Sequence, residues 1–261
     1  MLRVIGLIYE NHTMNFLESF RQWRARLGNA LALPDVEDEA DVRRAAQRLT
    51  AARRAAAKQR QAISHESQPP GQTPTLEWPS MDLGILPEVP GSGWRLSVSG
   101  LVERPLALNM VKLKALGSTE VTRDMHCVTG WSHLAASWAG VSGRALAQAA
   151  GVRPGARFVI VISADGYSTN MPIERFMAEG VLLADTADGK PLSARRGGPL
   201  RLVVPDLYFW KSAKWITEIQ FVHDDVRGYW ECRGYHNDGD PWREQRWAVS
   251  ESANSEAPEG L

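Results

Sequence analysis

The run Asp124-Met125-His126-Cys127-Val128-Thr129-Gly130-Trp131-Ser132 sets a thiol beside an imidazole just ahead of a glycine. A thiolate is both a nucleophile and a soft metal ligand, and a neighbouring histidine can lower a thiol's pKa from about 8.5. Functional groups collect at loop ends, yet most buried cysteines act only as small hydrophobes. Both readings remain open for Cys127. A thiol hydrolase using Cys127 with His126 or His133 is a rival reading, though His126 would be badly placed as its base, because adjacent side chains on a strand point to opposite faces.

Two further stretches are basic. In Arg195-Arg196-Gly197-Gly198-Pro199-Leu200-Arg201 the glycines offer backbone N–H groups to an anion. Arg201 follows as a planar, forked donor. Trp210-Lys211-Ser212-Ala213-Lys214-Trp215 adds two ammonium groups and a hydroxyl. Each stretch alone also reads as a basic surface turn; together they imply a pocket for a small polyanion. Neither a Walker-type G-x-x-x-x-G-K-S/T nor a G-x-G-x-x-G occurs, so ordinary nucleotide binding is not indicated.

The elements that must position these residues differ along the chain. Phe16, Leu17, Phe20, Trp23 and Leu27 recur at helical steps, and a second helix is predicted from Asp35 to about Gln61, acidic first and basic last. Ser67 to Gln72 reads as a linker. Beyond it the texture turns to short strands, expected at Trp94–Ser99, Glu120–Asp124, Phe158–Ile162, Leu200–Val204 and Trp215–Val222. Ser142 is expected to cap a short helix that Gly151 stops, and Pro172 to open another. The absence of a regular strand–helix alternation implies an α+β domain over 71–261, preceded by a helical or partly disordered arm over 1–70.

Composition narrows the function. With 261 residues, 44% hydrophobic, the chain can bury a core without disulfides. Thirty basic residues balance thirty acidic ones, which gives no general pull towards nucleic acid or an anionic membrane. Cys127 and Cys232 are the only cysteines, too few for a four-thiolate zinc or iron–sulfur site or a C-x-x-C-H haem attachment. The apolar run Leu2 to Ile8 is too short to span a membrane and lacks a cleavage site, so the chain is read as unexported, cytoplasmic and without a transmembrane segment.

An ordered set of motifs from about Thr75 to Trp247 resembles the molybdopterin-binding domain of the sulfite oxidase family. They are Gly100-Leu101-Val102-Glu103-Arg104-Pro105-Leu106, His126 to Ser132, Asp165-Gly166-Tyr167-Ser168-Thr169, Gly197 to Pro205, Lys211 to Trp215, and Gly234-Tyr235-His236. The small haem-free bacterial members and the catalytic subunit of the molybdenum methionine-sulfoxide reductase are the most similar branches. The resemblance implies that Cys127 binds molybdenum beside the dithiolene of a single pterin, as a soft thiolate suits. It maps cofactor contacts onto Ser163, Arg196, Arg201 and the turn Ser212, Ala213 and Lys214, with Arg201 and Lys214 neutralising the pterin phosphate. An earlier contact strand is expected near Thr75–Trp78. Tyr235 matches an active-site tyrosine able to hydrogen-bond a substrate oxygen, and His126 is expected to tune the thiolate.

One departure bears on substrate. Sulfite oxidases carry an anion-binding arginine five positions after the metal cysteine, where this chain has Ser132. Loss of that guanidinium disfavours sulfite and favours a neutral substrate beside Trp131. The expected function is therefore oxygen-atom transfer by a Mo-molybdopterin enzyme, with reduction of a sulfoxide or N-oxide favoured. The small molecule is an oxo donor or acceptor, and electrons pass to or from a separate, unidentified partner. The alternatives are sulfite-oxidase-like oxidation and a non-catalytic molybdopterin-binding module.

Overall fold

The computed structural model describes residues 68–75, 79–84, 86–89 and 93–248. The helices expected before residue 62, and Leu76 to Trp78 of the early contact strand, lie outside the described residues.

Two sheets organise the domain. The five-stranded one runs β3-β2-β11-β6-β7, built from β2 (Leu96–Gly100), β3 (Leu106–Leu108), β6 (Phe158–Ser163), β7 (Ser168–Pro172) and β11 (Ile216–Val222). Leu96 and Val98 face inward while Ser97 faces out, the alternation a half-buried strand requires. β6 is buried almost throughout and lies between β11 and β7, where its continuous apolar run belongs.

The six-stranded sheet contains β1 (Thr73–Thr75), β4 (Thr119–His126), β5 (Trp131–Ser142), β8 (Leu182–Ala187), β9 (Lys190–Pro191) and β10 (Arg201–Val203). Its spine is β5, which pairs with β1, β4 and β8. Gly140 lets β8 approach, because a Cβ there would lie 2.1 Å from the Leu183 carbonyl oxygen. The β4–β5 register shifts between Arg123 and Met125, where Asp124 accepts a bond from Ala135 N at 2.7 Å. Such an irregularity re-aims the end of a hairpin, and this hairpin ends at Cys127.

Among the described residues three short α-helices fill connections: α1 (Met110–Lys114), α2 (Gly143–Ala150) and α3 (Ile173–Phe176). Ser142 caps α2 through Ala145 N, and Gly151 closes it in the left-handed conformation. One large apolar cluster packs the five-stranded sheet and helices. A second gathers Met125, Cys127, Trp131, Trp138, Tyr208, Trp210 and Tyr235 against the other sheet.

Candidate active site

Cys127 begins the four-residue turn joining β4 to β5. Gly130 N donates to Cys127 O and Cys127 N to Trp131 O, with Gly130 at φ +94° completing the reversal. Two distant segments brace the turn. Gln72 Nε2 donates to Cys127 O at 3.1 Å, and Arg246 donates to the carbonyls of Val128 and Pro70. The described part of the stretch read as a linker is thus bonded to the cysteine turn. The His126 ring is engaged by other partners: its Nδ1 pairs with Ser132 Oγ at 2.8 Å and it lies edge-on to Trp242. Thr129 reaches Cys127 Sγ, donating through Oγ1 at 3.1 Å.

Cys127 lines a cavity with about 840 Å³ of empty space, its mouth included. Seven of the eight site residues expected from sequence share its wall: Cys127, Arg196, Arg201, Ser212, Ala213, Lys214 and Tyr235. Ser163 does not line it. Its hydroxyl is buried without a hydrogen-bond partner at the end of β6, and Asp165 and Tyr167 from the following hairpin reach the wall instead. Among the described residues, Pro79 to Leu83, just after the stretch expected as an early contact strand, also line the cavity.

The cations gather on one part of the wall. Arg201 is 3% exposed and lies over the Phe209 ring at 4.5 Å, donating to Arg196 O and Ser212 O at 2.9 Å each. Burial, then the charge of Arg196, pulls its pKa down to about 9. Lys214 lies 4.2 Å over Trp215 and 3.6 Å from Asp82. Burial pulls it down to about 8 against the attraction of Asp82. An anion placed here relieves both groups.

The glycines act differently from the sequence expectation. Gly197 N and Gly198 N donate to Ala194 O and Ser193 O inside their own turn, so neither amide points at a ligand. Their role is steric: a Cβ on Gly197 would meet Lys214 at 2.9 Å, and one on Gly198 would meet the Leu192 carbonyl oxygen at 2.3 Å.

Aromatic rings build another part of the wall. Trp210 stacks on Tyr208 at 5.3 Å and meets Tyr235 edge-on at 5.1 Å, while Trp230 lies 5.1 Å from Tyr235. Trp131, expected beside the substrate, is instead wholly buried against Phe209 and does not line the cavity. Ser132 is equally buried, held by His126 and Gln72. Sequence reasoning missed Asp82, Phe209 and Trp230, and named Asp165, Tyr167 and Trp210 only as members of motifs without a site role. The consecutive aromatics Tyr208, Phe209 and Trp210 were the available signal.

Among the described residues, no group of three His, Cys, Asp or Glu side chains is arranged to hold a metal ion, and no helix is long and apolar enough to cross a membrane.

Comparison with known proteins identifies the family. The oxidoreductase YuiH of Bacillus subtilis (strain 168) is 44% identical over 191 residues, covering 73% of this chain and 96% of that protein. The protein-methionine-sulfoxide reductase catalytic subunit MsrP of Xanthomonas campestris pv. campestris (strain ATCC 33913) is 34% identical over 155 residues, 53% of this chain. The match spans about half of MsrP, 48% of its length. The sulfane dehydrogenase SoxCD from Paracoccus pantotrophus aligns with a TM-score of 0.49 at 26% identity, covering 53% of this chain and 40% of that one. Residues 84–230 match the family model for the oxidoreductase molybdopterin binding domain. With its cysteine turn, buried cations and cavity inside that span or bordering it, the chain belongs to the molybdopterin-binding oxidoreductase family.

Proposed function

We propose that this chain transfers an oxygen atom, reducing a small sulfoxide or N-oxide with electrons from a separate carrier, and that Cys127 is the protein's ligand to molybdenum. The observation that carries the reading is a division of the cavity wall. Cys127 belongs to one apolar cluster with Trp210 and Tyr235, while charge collects at Arg196, Arg201, Lys214, Asp82 and Asp165.

The donor set fits the cofactor. A single soft thiol in a cavity suits a metal that brings its other sulfur ligands with it. Arg201 and Lys214, both depressed by burial, are cations that a phosphate would stabilise. Arg196, Ser212 and Ala213 complete that part of the wall. When bound, the molybdenum–pterin group supplies two-electron oxygen-atom transfer.

The chain's own residues then bind and orient. Cys127 stays a ligand, with its backbone fixed by Gln72 and Trp131. Trp210 and Trp230 offer ring faces and edges to an apolar sulfoxide substituent and exclude water from around it. Tyr235, 7% exposed and within the same wall, supplies a phenol to hydrogen-bond the substrate oxygen. The position five residues after the cysteine gives no cation to a sulfite-like dianion, because Ser132 is buried and bonded elsewhere. The similarity to MsrP, a protein-methionine-sulfoxide reductase catalytic subunit, supports a sulfoxide substrate and a separate partner.

The test is molybdenum and pterin content per chain from a molybdenum-replete host, followed by dye-linked turnover of sulfoxides, N-oxides and sulfite. Near-stoichiometric cofactor with sulfoxide or N-oxide reduction, lost in Cys127→Ser, is the expected result. Cofactor without any turnover would favour a non-catalytic module. Sulfite oxidation alone would reverse the assigned direction.

A further inference from the structure

The turn that presents Cys127 contains a hydroxyl that the proposed reaction does not use. Thr129 Oγ1 donates to Cys127 Sγ at 3.1 Å, with the two residues 8% and 5% exposed. The turn enforces this approach. Its two backbone bonds and the positive φ of Gly130 bring the first and third side chains together. Cys127 and Val128 line the cavity and Thr129 does not, so the hydroxyl lies behind the sulfur rather than against a substrate. His126 is held by Ser132 and Trp242. Thr129 thus gives the sulfur a hydrogen bond from a neutral hydroxyl, which stays a donor across the working pH range.

A metal-bound thiolate can only accept a hydrogen bond, which fixes the direction of this one. Hydrogen bonds to sulfur ligands withdraw electron density from the metal and are a recognised control on its potential. We propose that Thr129 is a positioning residue that acts through Cys127, weakening the sulfur's donation and raising the reduction potential of the bound metal. The proposal rests on Cys127 being the metal ligand. No bond is made or broken in it; only the polarity of an existing one changes.

The test compares holoenzyme of wild type, Thr129→Val, Thr129→Ser and Cys127→Ser. Metal and pterin content, visible absorption, midpoint potential and unfolding midpoint are measured for each. Thr129→Val keeps the shape and loses the donor. The expected result is wild-type cofactor content, a sulfur-to-metal charge-transfer band moved to longer wavelength, and a lower midpoint potential. Thr129→Ser restores band and potential. Thr129→Ala, read the same way, keeps the test decisive if the valine variant fails to fold. An unchanged band and potential in Thr129→Val or Thr129→Ala, beside an altered spectrum in Cys127→Ser, would overturn the tuning role alone. A lower unfolding midpoint with unchanged band and potential would do the same, assigning Thr129 to the turn's stability. An unchanged spectrum in Cys127→Ser would overturn the ligand assignment and this proposal with it.

Discussion

Lys211 Nζ lies 2.6 Å from Glu231 Oε1, with both side chains fully buried. The same carboxylate oxygen accepts Thr169 Oγ1 at 2.8 Å and Trp210 Nε1 at 3.1 Å, and the ammonium also donates to Asn170 O. The pair thus ties a strand of the five-stranded sheet to an indole in the cavity wall. Buried ion pairs stabilise little compared with well-packed apolar groups, but losing one partner strands the other charge.

Glu231→Gln is therefore expected to cost about 3–5 kcal/mol, read as a lower denaturant midpoint. Lys211→Met combined with it should cost less than the sum of the two single changes, because neither charge is then stranded. Additive losses would show that the pair does not act as a unit.

Arg201→Lys keeps a charge but not the fork that reaches Arg196 O and Ser212 O together. Losing one charge-assisted contact of this kind weakens cofactor retention roughly 10- to 100-fold. Pterin fluorescence after gel filtration measures it, and retention equal to wild type would remove Arg201 from the binding set.

Asp165 gives a signed pH dependence. Burial raises it from 3.8 to about 6, partly opposed by a bond from Tyr167 N and by Lys214. Between those values the folded cofactor-free chain holds a proton that the unfolded chain has released. The group's stabilisation is fully present below 3.8 and is lost as pH rises through about 6. Asp165→Asn should flatten thermal stability across that window and raise it at pH 7 by about 1–3 kcal/mol. Parallel pH profiles for the two proteins would contradict this.

Gly239→Ala tests the aromatic wall without touching cysteine or cations. A Cβ there would come 2.7 Å from the Trp210 ring, at a φ of +76° that side chains rarely adopt. Trp210 must shift against Tyr208 and Tyr235, at a cost of about 1–3 kcal/mol. Altered tryptophan emission and a raised KM for the sulfoxide are expected, with cofactor content unchanged. Unchanged KM would separate Trp210 from substrate binding.

Much of this was legible in the sequence where local chemistry and tertiary role coincide. Phe158 to Ile162 reads as a buried strand and is one, and Ser142 and Gly151 bracket α2 as their side-chain and backbone preferences require. β5 was not legible. Its Ala135-Ala136 and Gly140 look like poor strand formers, and only the approach of the Leu183 carbonyl explains the glycine. At the site, Cys127, Arg201 and Lys214 stand out by residue type. Trp131 misled because an indole next to the cysteine in sequence points into the core, while Trp210, 83 positions away in the sequence, forms the wall. A contact made only by folding leaves no local periodicity to read.

The bracing of the cysteine turn fixes an order of events. A chain emerges from the ribosome amino end first, and regions fold as they become available. The two carbonyls that Arg246 grips belong to Pro70 and Val128. They wait unclasped through the synthesis of more than a hundred further residues, of which Arg201 and Lys214 are two. The turn is locked only once residue 246 is free to swing back across it. A chain interrupted short of that arginine would carry the motifs yet leave this clasp open.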